Sequence, residues 1–459
     1  METMLQKLGQ RFEREHDTIM NEFFKFLRFA SVSSDPACNN ATIACKDWIE
    51  GFLVDTGFKV SQWPTSEHPV IFAENLTAGP DKPTVLIYNH YDVQPVDPLE
   101  LWDNPPFEPV VKNESVYARG AQDNKGQCFY VLQSLKALKE VSCTFPVNIK
   151  LLIEGNEETG SGGLSGILEN KKEDLKADYI FIVDVGIKDA ETPTITLGLR
   201  GIVAMDVSCK GSDTDLHSGC HGGLAYNPLH ALVDILAKLR DADGRITVPG
   251  FYDNVREIPA EQRGAISFDF DEKKYLKEFG VQPTGGETKY SPLERNWLRP
   301  TLEINGITGG FSGPGTKTVI PALASAKLTC RLVPNQDPQV IAKAVTSYIE
   351  KLAPPGINVT THIHAGGGTA VITDPNSIAV KAVATAFSEV FQKPCQYILE
   401  GASIPIVTAL QRVSGGQVVL LGLGLTSDLI HAPNEHFSLK RIQQGYLIIA
   451  RSLEILGES

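Results

Sequence analysis

Three apolar runs of strand length, TVLIYNHYDV from Thr84, VNIKLLIEG from Val147 and DYIFIVD from Asp178, lead directly into acidic or imidazole side chains. These are His90 and Asp92 at the first, Glu157 and Glu158 after the second, and Asp184 at the third. Amphipathic stretches separate the runs, so their order reads as an α/β core with a mainly parallel sheet. Ligands of such sheets gather beyond the carboxyl ends of the strands, and one sheet edge is therefore expected to carry all of these side chains together.

Helices are expected from about Leu5 to Phe29 and after Asp123. From about Leu199 the texture changes to a strand GIVAMDVSCKG, a helix around Pro228 to Leu239 and a Gly/Pro-rich loop region to about Lys317. A strand KLTCRLV, a helix near Gln339 to Leu352 and a strand NVTTHIHA follow. The tail returns to the first texture with a helix at SIAVKAVATAFSEVF, a strand VVLLGLG and a closing helix after Leu439. The expected organisation is a discontinuous domain over 1–198 and 368–459, interrupted by an α+β domain over 199–367. A chain of 459 residues with 42% hydrophobic side chains has room for both cores.

Against 42 Lys and Arg stand 55 Asp and Glu, a formal charge of -13, which disfavours nucleic acid or an anionic membrane as partner. The opening METMLQKLGQRFEREHD lacks the apolar centre of a signal peptide, and runs such as QVVLLGLGL are too short to span a bilayer. The expected location is the cytoplasm. The 8 cysteines form no CxxC pair and read as reduced, mostly buried thiols.

RGAQDNKG adds Asp123 to the strand-end residues, and HAPNEHF adds His431. Two imidazoles and several carboxylates, flanked by glycine and without thiolate, form the donor set of a dinuclear site for zinc or manganese, with cobalt a third candidate. Taken singly, Glu157 and Glu158 could be a solvated turn, and Asp123 could cap the next helix. Taken together, so many carboxylates at one edge would cost on the order of several kcal/mol per uncompensated charge without cations.

The motifs HxDVQP, W-x-x-x-PF, RGxxDxKG, EGxEExGS, LRG, DLHSG, FSGxGxKTVIP, RLVPN, SIP and HxxNE occur here in one order. From about Phe26 to its end the chain thereby resembles the dinuclear metallopeptidase family of cytosolic non-specific dipeptidase and carnosinase, which is related to the aminoacylases. The resemblance implies an α/β peptidase domain with an inserted α+β lid and dimerisation domain. It implies two divalent ions per subunit, one held by His90, Asp123 and Asp184, the other by Asp123, Glu158 and His431. Asp123 would bridge them, Asp92 would orient His90, and Glu157 would be the general base for a water shared by the ions.

The same resemblance makes His217 of DLHSG an oxyanion donor to the neighbouring subunit's site, in a homodimer. Arg331, Thr318 and Ser403 match positions that hold the substrate's C-terminal carboxylate, and His364 matches another histidine on the substrate side. The implied reaction is hydrolysis of small peptides, foremost dipeptides with a free C-terminal carboxylate. The alternative is a deacylase acting on N-acyl amino acids. A non-catalytic binding protein on the same fold would show a broken ligand set or a missing base, and neither is seen. One departure stands out: Ala402 in GASIP replaces a glycine frequent in the family, which leaves the substrate spectrum open. His16, His68, His221, His230, His362 and His436 read as structural or surface residues.

Overall fold

The run beginning at Thr84 forms the strand Thr84–His90, buried on both faces from Val85 onward. Unbroken burial of this kind belongs to a strand sandwiched between helices, which explains why its sequence is continuously apolar rather than alternating. It pairs in parallel with Asn148–Glu154 on one side and Tyr179–Val183 on the other, and Gln417–Leu421 adds in parallel beside the latter. The centre of the 9-stranded sheet is therefore parallel, as expected. Its margins are antiparallel: Lys59–Trp63 and Val70–Asn75 lie at one side, and Val371–Ile372 pairs with Thr194–Leu199 at the other. The computed structural model describes residues 3–458 except 258, 260–262, 265, 268 and 365.

Helices Lys125–Ser142, Ile378–Phe391 and Leu439–Glu458 cover one face of this sheet through Phe129, Leu132, Val383, Tyr446 and Leu453. The other face is closed by Leu164, Leu168, Val407 and Leu410. A second sheet of 4 strands has Gly201–Lys210 and Leu323–Leu332 at its centre, with Thr301–Gly309 and Asn358–Ile363 outside them. Gly201–Lys210 alternates buried and part-buried residues, the pattern of a sheet with one face on a core. That face packs on helices Pro228–Ala237 and Pro338–Lys351, and the buried members of this core run from Val203 to Ile357. The chain passes between the layers where Val371 pairs with Leu199 and Gly368 bridges to Ile202.

Two expectations need correction. The helix expected over Leu5 to Phe29 is two helices, Met4–Arg14 and His16–Leu27, broken at Glu15 with φ -105° and ψ 12°. Leu8, Phe12, Ile19 and Phe23 stay buried across the break, so apolar spacing alone reads one helix. The Gly/Pro-rich stretch before Lys317 is not all loop. It holds helices Glu272–Phe279 and Pro292–Trp297 and the strand Thr301–Gly309. That strand is largely exposed, so it carries no buried alternation to betray it. NVTTHIHA forms the strand Asn358–Ile363, and Ala365 lies outside the described residues. The cysteines are all free. Among the described residues no helix is long and apolar enough to cross a membrane.

Candidate dinuclear metal centre

Parallel pairing sets the carboxyl ends of the central strands side by side. His90 lies opposite Glu154, Tyr88 opposite Ile182, and Leu421 opposite Val183. His90 is the last residue of its strand, the short helical turn Glu157–Thr159 follows Glu154, and Asp184 follows Val183. The loop after Leu421 brings in His431. Asp123 arrives from the loop that starts helix Lys125–Ser142.

These side chains fall into two clusters that share one carboxylate. In the first, donor atoms of His90, Asp123 and Asp184 lie within 4.8 Å of one another, and in the second, those of Asp123, Glu158 and His431 do the same. His90 Nε2 is 3.2 Å from Asp123 Oδ1 and 3.7 Å from Asp184 Oδ1. His431 Nε2 is 2.9 Å from Asp123 Oδ2 and 3.2 Å from Glu158 Oε2. Glu157 stands beside the first cluster, with Oε2 4.0 Å from His90 Nε2. His90 Nε2 and Glu158 Oε1 are buried with no hydrogen-bond partner, the kind of orphaned atom that a cation would satisfy.

Crowding of like charges shapes the proton affinities. Burial, reinforced by Asp123, pushes Glu158 up to about 7. Burial also lifts Glu157 well above the usual carboxylate range, partly offset by His90 and aided by Asp184, Glu158 and Asp123. Hydrogen bonds to Asp123 and Glu158 raise His431 to about 10. His431 sits in the left-handed region at φ 58°, in a loop where Leu429 and Asn434 also have positive φ. Such strain persists only where surrounding contacts over-determine it.

Asp92 is fully buried, and its Oδ1 lies 3.3 Å from His90 Nδ1. Its carboxylate also accepts from Glu157 N at 3.2 Å, Glu158 N at 3.1 Å and Ser33 Oγ at 2.7 Å. One side chain thus touches a ring of the first cluster and the turn carrying both glutamates.

The substrate-side residues form separate groups. His217 Nδ1 accepts from Gly219 N at 2.9 Å, which leaves the proton on Nε2, 3.4 Å from Thr318 Oγ1. Both residues are exposed, and His217 makes no hydrogen bond to either cluster among the described residues. Arg331 Nη1 donates to Ser403 Oγ at 2.8 Å, linking the second sheet to the loop before helix Ile406–Ser414. His364 stands apart, with Nε2 3.0 Å from Asp206 Oδ2.

The sequence pattern of Peptidase family M20/M25/M40 matches residues 86–455. The chain belongs to this peptidase family. A Cys-Gly metallodipeptidase of Schizosaccharomyces pombe is 30% identical over 97% of this chain and 97% of its own length. The Beta-Ala-His dipeptidase of Homo sapiens is 35% identical over 83% of this chain and 76% of its own. The structure of the dipeptidase Dug1p from Saccharomyces cerevisiae superposes with a TM-score of 0.87 at 27% identity, covering 100% of both chains.

Sequence reasoning missed several supporting residues of this M20 peptidase. Asn124 donates to Val183 O at 2.8 Å and to Asp184 Oδ1 at 2.6 Å, and accepts from Asn89 at 2.7 Å. Gln94 donates to Glu158 Oε2 at 2.8 Å. Glu435, fully buried, accepts from the backbone N–H groups of Gly120, Gln122 and Asp123 at 2.8, 2.9 and 3.0 Å and from Arg119 Nη1 at 2.8 Å. Its place as the last letter of HxxNE was the available signal.

Proposed function

We propose that this metal-dependent M20 peptidase hydrolyses dipeptides with a free C-terminal carboxylate, using two divalent ions held by clusters that share Asp123. The observation that carries this reading is the shared carboxylate with Glu157 beside it, in a chain whose relatives are named as dipeptidases. His90, Asp123 and Asp184 would hold one ion, and Asp123, Glu158 and His431 the other, with zinc or manganese favoured and cobalt a third candidate. When bound, the ions supply Lewis acidity, acidifying a water and polarising the scissile carbonyl.

Glu157 would take the proton of the attacking water and deliver it to the leaving amine. Asp92 orients His90 and fixes the turn that presents Glu157. His217, with its proton on Nε2, is a ready donor to a developing oxyanion. Because it pairs with Thr318 and not with its own clusters, His217 and Thr318 would serve the site of a second copy in a homodimer. Arg331 and Ser403, with Thr318 contributed by the second copy, would grip the C-terminal carboxylate, for which a planar guanidinium offers two parallel hydrogen bonds. His364 would be a further substrate-side residue. In this reading the layer from 199 to 367 is the lid and dimerisation domain, and free cysteines suit a reducing cytoplasm.

The test uses metal-stripped protein reloaded with zinc, manganese or cobalt. A dipeptide, its C-terminal amide and an N-acetyl amino acid are compared by kcat/KM. The amide should fall by at least about tenfold, because the guanidinium loses its anionic partner. Equal rates on acid and amide would remove the carboxylate role of Arg331, and faster cleavage of the N-acetyl compound would make the enzyme a deacylase.

A further inference from the structure

Among the described residues, buried arginines come with carboxylates. Arg119 meets Glu435, Arg299 meets Glu287, Arg441 meets Asp428 and Arg11 meets Glu140. Three part-buried arginines depart from that pattern, and they share one cavity. Arg200, Arg295 and Arg331 line a cavity of about 420 Å³ in which, among the described residues, Glu303 is the one acidic lining residue. Among the described residues, none of the three forms an ion pair with a carboxylate.

Their hydrogen bonds go to neutral acceptors instead. Arg200 Nε donates to Gly401 O at 2.8 Å, and Arg331 Nη1 to Ser403 Oγ at 2.8 Å. Arg295 donates to Gly285 O at 2.7 Å and Pro283 O at 2.5 Å, while its Nε is buried without an acceptor. Burial, with the neighbouring charge of Arg331 and against the opposing pull of Glu303 and Glu400, brings Arg200 down to about 10. In a chain with a formal charge of -13, three guanidiniums stand against Glu303 on the lining and Glu400 beside Arg200, which leaves a local cationic surplus. Such a surplus, partly withdrawn from water, is stabilised by an anion.

One carboxylate, the C-terminus of the peptide, is already assigned to Arg331 and Ser403. We infer that the cavity takes a second one, the side chain of an acidic C-terminal residue held by Arg200 and Arg295, so that the preferred substrates are dipeptides ending in Asp or Glu. This inference rests on the dipeptidase reading given above. Arg200 and Arg331 anchor on residues 401 and 403 of the same loop, so their free N–H groups address neighbouring positions. The two carboxylates of an acidic residue hang only a few bonds apart, which suits two guanidiniums placed in that way. The volume is in the range that admits an amino-acid side chain.

The experiment compares isosteres on the metal-loaded full-length enzyme: Ala-Asp with Ala-Asn, and Ala-Glu with Ala-Gln. The wild type should favour the acid in each pair by about tenfold or more in kcat/KM, the scale of a charge-assisted hydrogen bond made or left unmade. In Arg200→Met and Arg295→Met the acid-to-amide ratio should fall toward one, and the ratio stays meaningful if either variant lowers all rates. A wild-type ratio of one or below overturns the inference while turnover of Ala-Asn leaves the dipeptidase reading standing. A high ratio unchanged in both variants also overturns it. No turnover of any of the four peptides overturns the dipeptidase reading and this inference with it.

Discussion

At the scale of single residues, Glu157 is the sharpest case. Glu157→Gln keeps the shape and removes the proton acceptor, so turnover should drop by more than about 100-fold while both metals stay bound. Metal content measured beside the rate checks this, and near-normal turnover in the variant would remove Glu157 as base. Glu154 offers a different kind of test. It is fully buried, accepts from Tyr88 and Ser161, and leaves Oε2 without a partner. Burial lifts its carboxyl from 4.5 to about 7. The folded state thus holds this proton more tightly than the unfolded chain, and the stability it contributes is present below 4.5 and lost as pH rises through about 7. Urea unfolding of metal-free protein should therefore show the wild type losing on the order of a few kcal/mol more than Glu154→Gln between about pH 5 and pH 8. Parallel pH profiles would contradict that. The donor residues that the structure gathers were legible because His, Asp and Glu at strand ends are unusual, and the motifs around them are specific. Gln94 in HxDVQP and Glu435 in HxxNE lie within the motifs and Asn124 follows Asp123, but their supporting roles were not legible, because a polar residue that positions a neighbour has no spacing rule of its own.

At the scale of elements, the loops matter more than the strands. Glu435 ties the loop 119–123, which carries Asp123, to the loop that carries His431, using both oxygens. Glu435→Gln would turn an amide group toward backbone donors and leave Arg119 without its counter-charge. Affinity for both ions should fall together, by about tenfold or more, because Asp123 is common to both clusters. Titration calorimetry with manganese reads this directly, and wild-type affinity in the variant would show that the clamp does not position the ligands. Reading elements from sequence succeeded where burial was regular. It recovered the parallel centre of the sheet and the strand Gly201–Lys210. It failed at Glu15, where a break leaves the apolar face continuous, and at Thr301–Gly309, where exposure erases the alternation. Asp271 and Ser291 cap the two helices in the Gly/Pro-rich stretch, a local feature that its overall composition hides.

At the scale of the whole molecule, the pairing of His217 with Thr318, and with neither of its own clusters among the described residues, sets up a complementation experiment. His217→Ala and Glu157→Ala chains should each be nearly inactive, the first through a loss of roughly 100-fold or more in kcat. Mixed and allowed to exchange subunits, they should regain activity, because one site of each mixed dimer then pairs an intact base with an intact donor. No recovery after verified exchange would confine His217 to its own chain. The topology of the large sheet bears on how the protein is made. Gln417–Leu421 fills the slot between Tyr179–Val183 and Thr194–Leu199. During synthesis that slot stays open while everything from 200 to 416 leaves the ribosome. The nascent chain meanwhile exposes two bare strand edges rich in Val, Ile and Leu, which are templates for pairing with other chains. Gln417–Leu421 is thus the keystone of a layer whose neighbouring strands are made long before it, and the interval before it arrives is when a chaperone would be of most use.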